Sequence, residues 1–173
     1  HNLRKKLRNG ELDVIIIALP FSEPDVVTQT LFEEPFVVLM PKNHPLAMQK
    51  KVLASELSDQ KMLLLGEGHC FRDQVLTTCP NLQPHNDESS KIKTVAEGSS
   101  LETLRHMVAS GLGITILPLS AAESSLYTQD VLVTRPFEDP APSRTIALAW
   151  RASFPRHKAI DALRKAIQQS RQK

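Results

Sequence analysis

Short, nearly continuous apolar runs recur along the chain and predict strands that are buried on both faces. In chain order the runs are Val14–Leu19, Phe36–Met40, Met62–Leu65, Ile114–Leu117 and Ile146–Trp150.

Between these runs, apolar residues at helical spacing predict helices. The stripes are Leu3 with Leu7; Leu101, Leu104, Met107 and Val108; and Ile160, Leu163 and Ile167. Ser99 and Glu102 fit a capping box at the start of the second helix, and Gly111 suits its C-terminal cap. The alternation of strands and helices predicts an α/β fold with a largely parallel sheet.

Two segments rich in turn-forming residues, Cys79–Ser90 and Phe137–Ser143, are expected to be loops. We interpret the second, with its two prolines, as a crossing by which the chain returns from a second α/β lobe to the first.

Composition excludes several classes of protein. Of 173 residues, 41% are apolar and 23% are charged, which is enough for a core and unlike a disordered chain. The net charge of +2 is too small to indicate a nucleic-acid surface by itself. The longest apolar run is far shorter than the roughly 18 to 20 residues of a membrane span, and the basic start is not followed by a secretory signal.

The strongest candidate for chemistry is Cys70, which follows a predicted strand and a turn with two glycines and precedes a predicted helix. Near a helix N-terminus, the dipole and free backbone N–H groups favour a thiolate, and Arg72 or a protonated His69 would add to the effect. Such a thiolate can attack a peroxide and become a sulfenic acid.

Cys79 lies nine positions further on. If the intervening residues were helical, the two Cα atoms would be roughly 13 Å apart, whereas a disulfide requires about 7 Å or less. Disulfide formation would therefore have to unwind the segment. In the chain-entropy model, closing this loop restricts the chain by roughly 2.5 to 3 kcal/mol, which is comparable to the cost of disrupting a short helix. The segment is therefore a candidate redox switch.

Two other interpretations of the cysteines remain open at this point. They can be two unrelated buried thiols that serve only as small apolar side chains. Alternatively, His69, Cys70, Cys79 and His85 can be metal ligands, although their spacing is not that of a usual zinc knuckle.

Three stretches of the sequence resemble the effector-binding domain of LysR-type transcriptional regulators. They are Asn9–Asp13 before a strand, Leu39–Leu46, and Ser100–Pro118 with its Gly-Leu-Gly turn. The segment Gly68–Gln74 together with Cys79 further resembles the peroxide-sensing members of that family.

The resemblance implies a bacterial, cytoplasmic, peroxide-responsive transcription activator rather than an enzyme, with no cofactor and no metal. It implies that Cys70 is the peroxidatic thiol and Cys79 the resolving thiol. His69 and Asp73 would position peroxide or protons, Arg72 would support the thiolate, and Arg144 would contribute to the local network.

The implied partners are hydrogen peroxide as the signal, a second copy in a homodimer or homotetramer, RNA polymerase, a thiol reductant such as glutaredoxin, and promoter DNA, but no membrane. DNA would be bound through an N-terminal winged helix-turn-helix that this sequence does not contain.

The implied fold is a pair of Rossmann-like lobes joined by crossing strands, resembling periplasmic binding proteins. We place lobe I, incomplete at its N-terminus, at residues 1–33 and 146–173, and lobe II, with both cysteines, at residues 34–145. Two alternatives stay open: a LysR-type domain that binds a small metabolite between the lobes, and a thiol peroxidase.

Overall fold

A computed structural model of the chain describes residues 2–82, 93–122 and 130–171. The helices are α1 (Asn2–Arg8), α2 (Cys70–Thr78), α3 (Leu101–Ala109), α4 (Leu119–Ala122) and α5 (His157–Ser170). The strands are β1 (Val14–Ala18), β2 (Val26–Pro41), β3 (Lys61–Leu65), β4 (Lys93–Gly98), β5 (Ile114–Pro118), β6 (Leu132–Pro136) and β7 (Ser143–Arg151). Short 3-10 helices cover Pro45–Met48, Ala54–Asp59 and Pro80–Leu82.

The chain forms two compact units. Unit 1 contains residues 1–33 and 144–173, and unit 2 contains residues 34–143. The chain thus re-enters unit 1 at residue 144, two residues before the lobe boundary expected from the sequence. That these units correspond to the two lobes of the family stays a prediction.

In unit 1, β1 pairs with β7 in antiparallel register, from Val14 opposite Trp150 to Ala18 opposite Ile146. Alternate residues of β7 face two different apolar clusters, because successive side chains of a strand point to opposite faces. Leu148 packs with Ile160 of α5, whereas Ala149 packs with Leu7 of α1.

In unit 2, the sheet combines parallel and antiparallel pairs. β3 is parallel to both β4 and β5, whereas β2 is antiparallel to β5 and to β6. The predicted largely parallel sheet is therefore wrong for β1, β2, β6 and β7. Within the residues that the structure describes, crossover helices, α2 and α3, link only β3, β4 and β5, and such a crossover is what makes successive strands parallel.

Two apolar clusters cover the two faces of the unit 2 sheet, and alternate strand residues supply them. Val38, Met62 and Ile116 face the cluster that includes residues of α2, while Leu39 and Leu63 face the cluster that includes residues of α3. The prediction that the apolar runs are strands buried on both faces is confirmed for β3, β5, the second half of β2 and residues 146–150 of β7. It is wrong for β1, where Ile16 is exposed.

Helix α3 begins one residue later than the predicted capping box requires. Ser100 rather than Ser99 is its N-cap, and the Ser100 Oγ accepts a hydrogen bond of 3.1 Å from the Thr103 N–H. The Glu102 side chain, predicted to close the box, forms an ion pair with Arg105 at 3.3 Å instead. Gly111 has φ +76°, as its predicted role beyond the end of the helix requires.

The structure also contains strands that the apolar runs do not indicate: β4, β6 and the first ten residues of β2. Of the predicted loop Cys79–Ser90, residues 80–82 form a 3-10 helix and residues 83–90 lie outside the described ranges. Within those ranges, no helix combines the length and the apolar character needed to cross a bilayer.

Candidate redox site

Helix α2 begins where strand β3 leaves the sheet of unit 2. The connection Gly66–His69 turns the chain, and Gly68 has φ +85°, a conformation that glycine adopts without the cost paid by other residues. His69 is the N-cap in an extended conformation, although its side chain makes no capping hydrogen bond. The predicted sequence of strand, glycine turn and helix is confirmed.

Cys70 is the first residue of α2 and its thiol is free and exposed. The first four N–H groups of a helix have no partner within it, and the N-terminal end of the helix dipole attracts negative charge. Cys70 therefore lies at the positive end of the helix dipole, and solvent has direct access to its thiol.

The helix ends at Cys79 because Pro80 follows. A residue before proline is disfavoured in helical conformation, and Cys79 has φ −123° and ψ 72°. Its backbone N–H still donates to the Val75 carbonyl at 2.8 Å, so Cys79 is the C-cap of α2.

The two thiols occupy opposite environments. The side chain of Cys79 is buried, with 1% of the residue exposed, and it belongs to the apolar cluster between α2 and the sheet. Burial raises the pKa of the Cys79 thiol from its ordinary value of 9.0 to about 11, and a hydrogen bond with the Thr78 side chain lowers it in part. At neutral pH, Cys79 is therefore a protonated thiol that solvent does not reach.

Cys79 is the last member of an apolar stripe on α2. Phe71, Val75 and Cys79 are spaced four residues apart, so they lie on one face of the helix. All three pack against the cluster that includes Phe36 of β2. The stripe attaches α2 to the sheet along its whole length, and Cys70 lies outside it.

The separation of the thiols follows from the helix between them. Nine residues at a rise of about 1.5 Å place the Cα atoms of Cys70 and Cys79 roughly 13 Å apart. Both thiols are free, and a disulfide between them requires a Cα separation of about 7 Å or less. The structure is therefore that of the dithiol state, and a Cys70–Cys79 disulfide is incompatible with an intact α2.

The helix has little intrinsic stability. It has nine residues, fewer than an isolated helix needs in water, and its last turn contains two β-branched threonines. The hydroxyls of Thr77 and Thr78 donate to the carbonyls of Asp73 and Gln74 at 2.7 and 2.9 Å, a bonding mode that weakens and bends helices. Burial of the stripe therefore supplies most of what keeps α2 folded.

The other predicted site residues lie in different places. Arg72 is half-buried, and its Nη1 donates to the Leu65 carbonyl at 2.8 Å, which ties the first turn of α2 to the end of β3. Asp73 and His69 are exposed near Cys70. Arg144 is the second residue of β7 and belongs to unit 1. The roles expected of His69, Arg72, Asp73 and Arg144 stay predictions.

The alternative metal site finds no support among the residues that the structure describes. No group of three or more His, Cys, Asp or Glu side chains within them is arranged to hold an ion. His69 and Cys70 lie at one end of α2 and Cys79 is buried at the other, while His85 lies outside the described residues.

The sequence interpretation did not identify Phe71, Val75 or Phe36 as part of the site. Spacing of apolar residues at i, i+4 and i+8 is the signal that could have found the first two. Phe36 becomes part of the site only through the packing of β2 against α2, which the local sequence does not encode.

Comparison with known proteins gives the family. The family description "LysR substrate binding domain" matches residues 1–172. The "Hydrogen peroxide-inducible genes activator" of Dickeya chrysanthemi is 36% identical over 172 residues, which cover 99% of this chain and 54% of that protein. The chain thus spans about half the length of this curated relative.

Solved structures extend the similarity to the whole fold. The reduced form of the OxyR regulatory domain from Pseudomonas aeruginosa is 54% identical, with a TM-score of 0.83, and the match covers 98% of this chain and 78% of that one. Reduced and oxidised forms of OxyR, each 34% identical and each covering 98% of this chain and 76% of theirs, match with TM-scores of 0.79 and 0.75.

These matches confirm the predicted α/β fold class and the predicted family. The chain belongs to the LysR substrate binding domain family and, within that family, resembles the regulatory domains of OxyR.

Proposed function

We propose that this chain is the regulatory part of a LysR-type transcription regulator and that it senses hydrogen peroxide through Cys70 and Cys79. One observation carries the proposal: two free thiols lie at opposite ends of a single short helix, one exposed and one buried. The existence of both reduced and oxidised OxyR structures supports a change of state in proteins of this fold.

The first step is the oxidation of Cys70. Its thiolate attacks one oxygen of hydrogen peroxide, the O–O bond breaks, and hydroxide leaves, which gives a Cys70 sulfenic acid. Exposure and the helix N-terminus favour this reaction at Cys70, whereas burial and a pKa of about 11 protect Cys79 from it. His69 and Asp73, which are exposed beside Cys70, would position peroxide and relay protons, and Arg72 would support the thiolate.

The second step joins the sulfurs. The Cys79 sulfur attacks the sulfenic sulfur of Cys70, the S–O bond breaks, and water leaves with the Cys79 proton, so that one peroxide is reduced for one disulfide formed. Because the thiols are held about 13 Å apart, this step requires α2 to unwind. Closing the loop costs about 2.7 kcal/mol of chain entropy in addition to the loss of the helix, and the reduction of peroxide provides the driving force for both changes.

The changed conformation of the segment between Cys70 and Cys79 would transmit the signal. In the whole protein it would alter the pairing of regulatory domains in a homodimer or homotetramer, and with it the contacts made with promoter DNA and RNA polymerase. Glutaredoxin or a similar thiol reductant would restore the dithiol. The protein would act in the cytoplasm, it would not be an enzyme, and Arg144 would contribute to the local network, as the resemblance implies.

The test is mass spectrometry after treatment with one equivalent of hydrogen peroxide. We expect the wild type to lose two mass units and to yield a peptide linked through Cys70 and Cys79. Cys70→Ser should form no disulfide, and Cys79→Ser should accumulate a sulfenic acid at Cys70.

Two results would contradict the proposal. The first is a wild-type protein in which both thiols are still free after the treatment. The second is a protein that consumes peroxide over many turnovers with a reductant, which is the behaviour of a thiol peroxidase. A wild type that ignores peroxide but binds a small organic acid with the same affinity in both redox states would indicate a metabolite-binding regulator.

A further inference from the structure

Phe71 lies directly after Cys70 and joins the first turn of α2 to the sheet. Its ring meets the ring of Phe36 edge to face, with 5.3 Å between centroids and 82° between planes. Phe36 is fully buried on β2, whereas Phe71 is half-buried and also contacts the cluster on the other face of the sheet. The residue therefore packs where the two clusters meet, next to the reactive thiol.

The two ends of α2 are anchored unequally. At the C-terminal end, Val75, Cys79 and Leu82 are all at least 99% buried. At the N-terminal end, the anchors include the half-buried Phe71 and the Arg72 hydrogen bond to Leu65. The preceding residues 67–69 are exposed, so no buried side chain of that turn holds the chain in place.

Resting on the proposed function, we propose that the contact between Phe36 and Phe71 is a latch that holds the first turn of α2 and sets the rate and equilibrium of disulfide closure. The first turn is the less firmly anchored end, so it is the part of α2 that unwinds to let Cys70 fold back toward Cys79. Unwinding it draws Phe71 away from Phe36. Phe71 is thus a positioning residue that acts through the conformation of Cys70 and does not react with peroxide.

The direction of the effect follows from which state contains the contact. The latch exists in the dithiol state and is broken before the disulfide closes, so it opposes closure and favours reduction. An edge-to-face aromatic pair contributes enough beyond its buried area to change an equilibrium roughly fivefold. Replacing either ring by leucine keeps an apolar side chain in place and removes the ring contact.

The test compares Phe71→Leu, Phe36→Leu and the double variant in the intact protein, with Phe154→Leu as the matched control. Phe154 is also a half-buried phenylalanine, but it packs in unit 1. Three quantities are measured: the rate of sulfenic acid formation at Cys70 in a Cys79→Ser background, the rate of disulfide closure, and the dithiol–disulfide equilibrium against a glutathione buffer.

We expect both single variants to close the disulfide roughly fivefold faster and to shift the equilibrium toward the disulfide by the same factor. Sulfenic acid formation should stay within about twofold of the wild-type rate. The double variant should change closure no more than either single variant, because each one already removes the contact.

Several results would overturn the latch. One is an unchanged rate of disulfide closure and an unchanged dithiol–disulfide equilibrium in Phe71→Leu and Phe36→Leu. The others are additive effects on closure in the double variant, and a shift of the equilibrium in Phe154→Leu as large as that in Phe71→Leu. In each case a wild type that still forms the disulfide leaves the proposed function intact. A wild type that forms none would overturn both proposals.

Discussion

The two ends of helix α2 carry the same functional group in opposite surroundings. At the N-terminal end, Cys70 is exposed next to a glycine turn, and only one buried-face side chain, Phe71, lies in the first turn. At the C-terminal end, Cys79 is sealed in the core and Pro80 terminates the helix. The comparison shows how one short segment can separate a thiol that meets the oxidant from a thiol that must wait for the segment to open.

The largest effect that this comparison predicts is a difference in thiol reactivity. With excess iodoacetamide at pH 8, we expect Cys79 to be alkylated at least roughly 100-fold more slowly than Cys70. A pKa of about 11 rather than 9.0 lowers the thiolate fraction by about that factor, and burial adds to it. Peptide mass spectrometry over time gives both rates. In 8 M urea, as a control, the two thiols should react alike, and similar rates in the folded protein would refute the contrast.

Much of the structure at the N-terminal end of α2 can be predicted from the sequence, whereas little of the structure at its C-terminal end can. The apolar run Met62–Leu65, the glycines and the polar residues after Cys70 are local signals, and the structure agrees with the strand, turn and helix that they predict. Cys79 looks like the first residue of a polar loop. Its burial depends on the sheet against which α2 packs, so only the spacing from Phe71 and Val75 hints at it.

The same distinction applies to the fold. Strands buried on both faces have continuous apolar runs and are found, whereas β6, which is only partly buried along most of its length, has no such run. Strand direction is set by how distant segments meet, so the antiparallel pairing of β2 with β5 is not encoded near Phe36. The cap of α3 lies at Ser100 rather than Ser99 because either of two adjacent serines can cap a helix and the packed helix selects one.

The second prediction uses pH to test the buried end. The folded-state pKa of Cys79 lies above its ordinary value, so the protonated thiol stabilises the fold below about pH 9, and this stabilisation is lost as the pH rises through 11. We expect the free energy of unfolding to fall by about 2 kcal/mol more in the wild type than in Cys79→Ala between pH 8 and 11. Urea unfolding at each pH measures it, and parallel curves for the two proteins would contradict the assignment.

The third prediction weakens the middle of the stripe. Val75→Ala removes two methyl groups from a residue that is 1% exposed, and we expect it to lower the free energy of unfolding by about 1.5 to 2 kcal/mol. Because the stripe supplies the stability of α2, alkylation of Cys79 should accelerate by roughly tenfold or more.

Thr77→Ala is the control for that variant, because Thr77 lies on the exposed side of the same helix. It should change unfolding by less than about 0.5 kcal/mol and leave the reactivity of Cys79 as it is. If Val75→Ala destabilises the protein without accelerating the alkylation of Cys79, then Cys79 is exposed by a local opening in which Val75 stays packed, and the stripe does not control access to it.

The smallest effect concerns the turn before Cys70. Gly68 has φ +85° and a Cβ added there would meet nothing within 4 Å, so the cost of Gly68→Ala is conformational rather than steric. We expect a loss of about 1 kcal/mol in the free energy of unfolding, measured with urea. Gly68→Asn should cost less, because asparagine tolerates positive φ better than alanine does. Equal losses of stability in Gly68→Ala and Gly68→Asn would show that the turn requires a residue without a side chain. If the wild type and both variants were equally stable, Cys70 would not depend on this turn for its place at the start of α2.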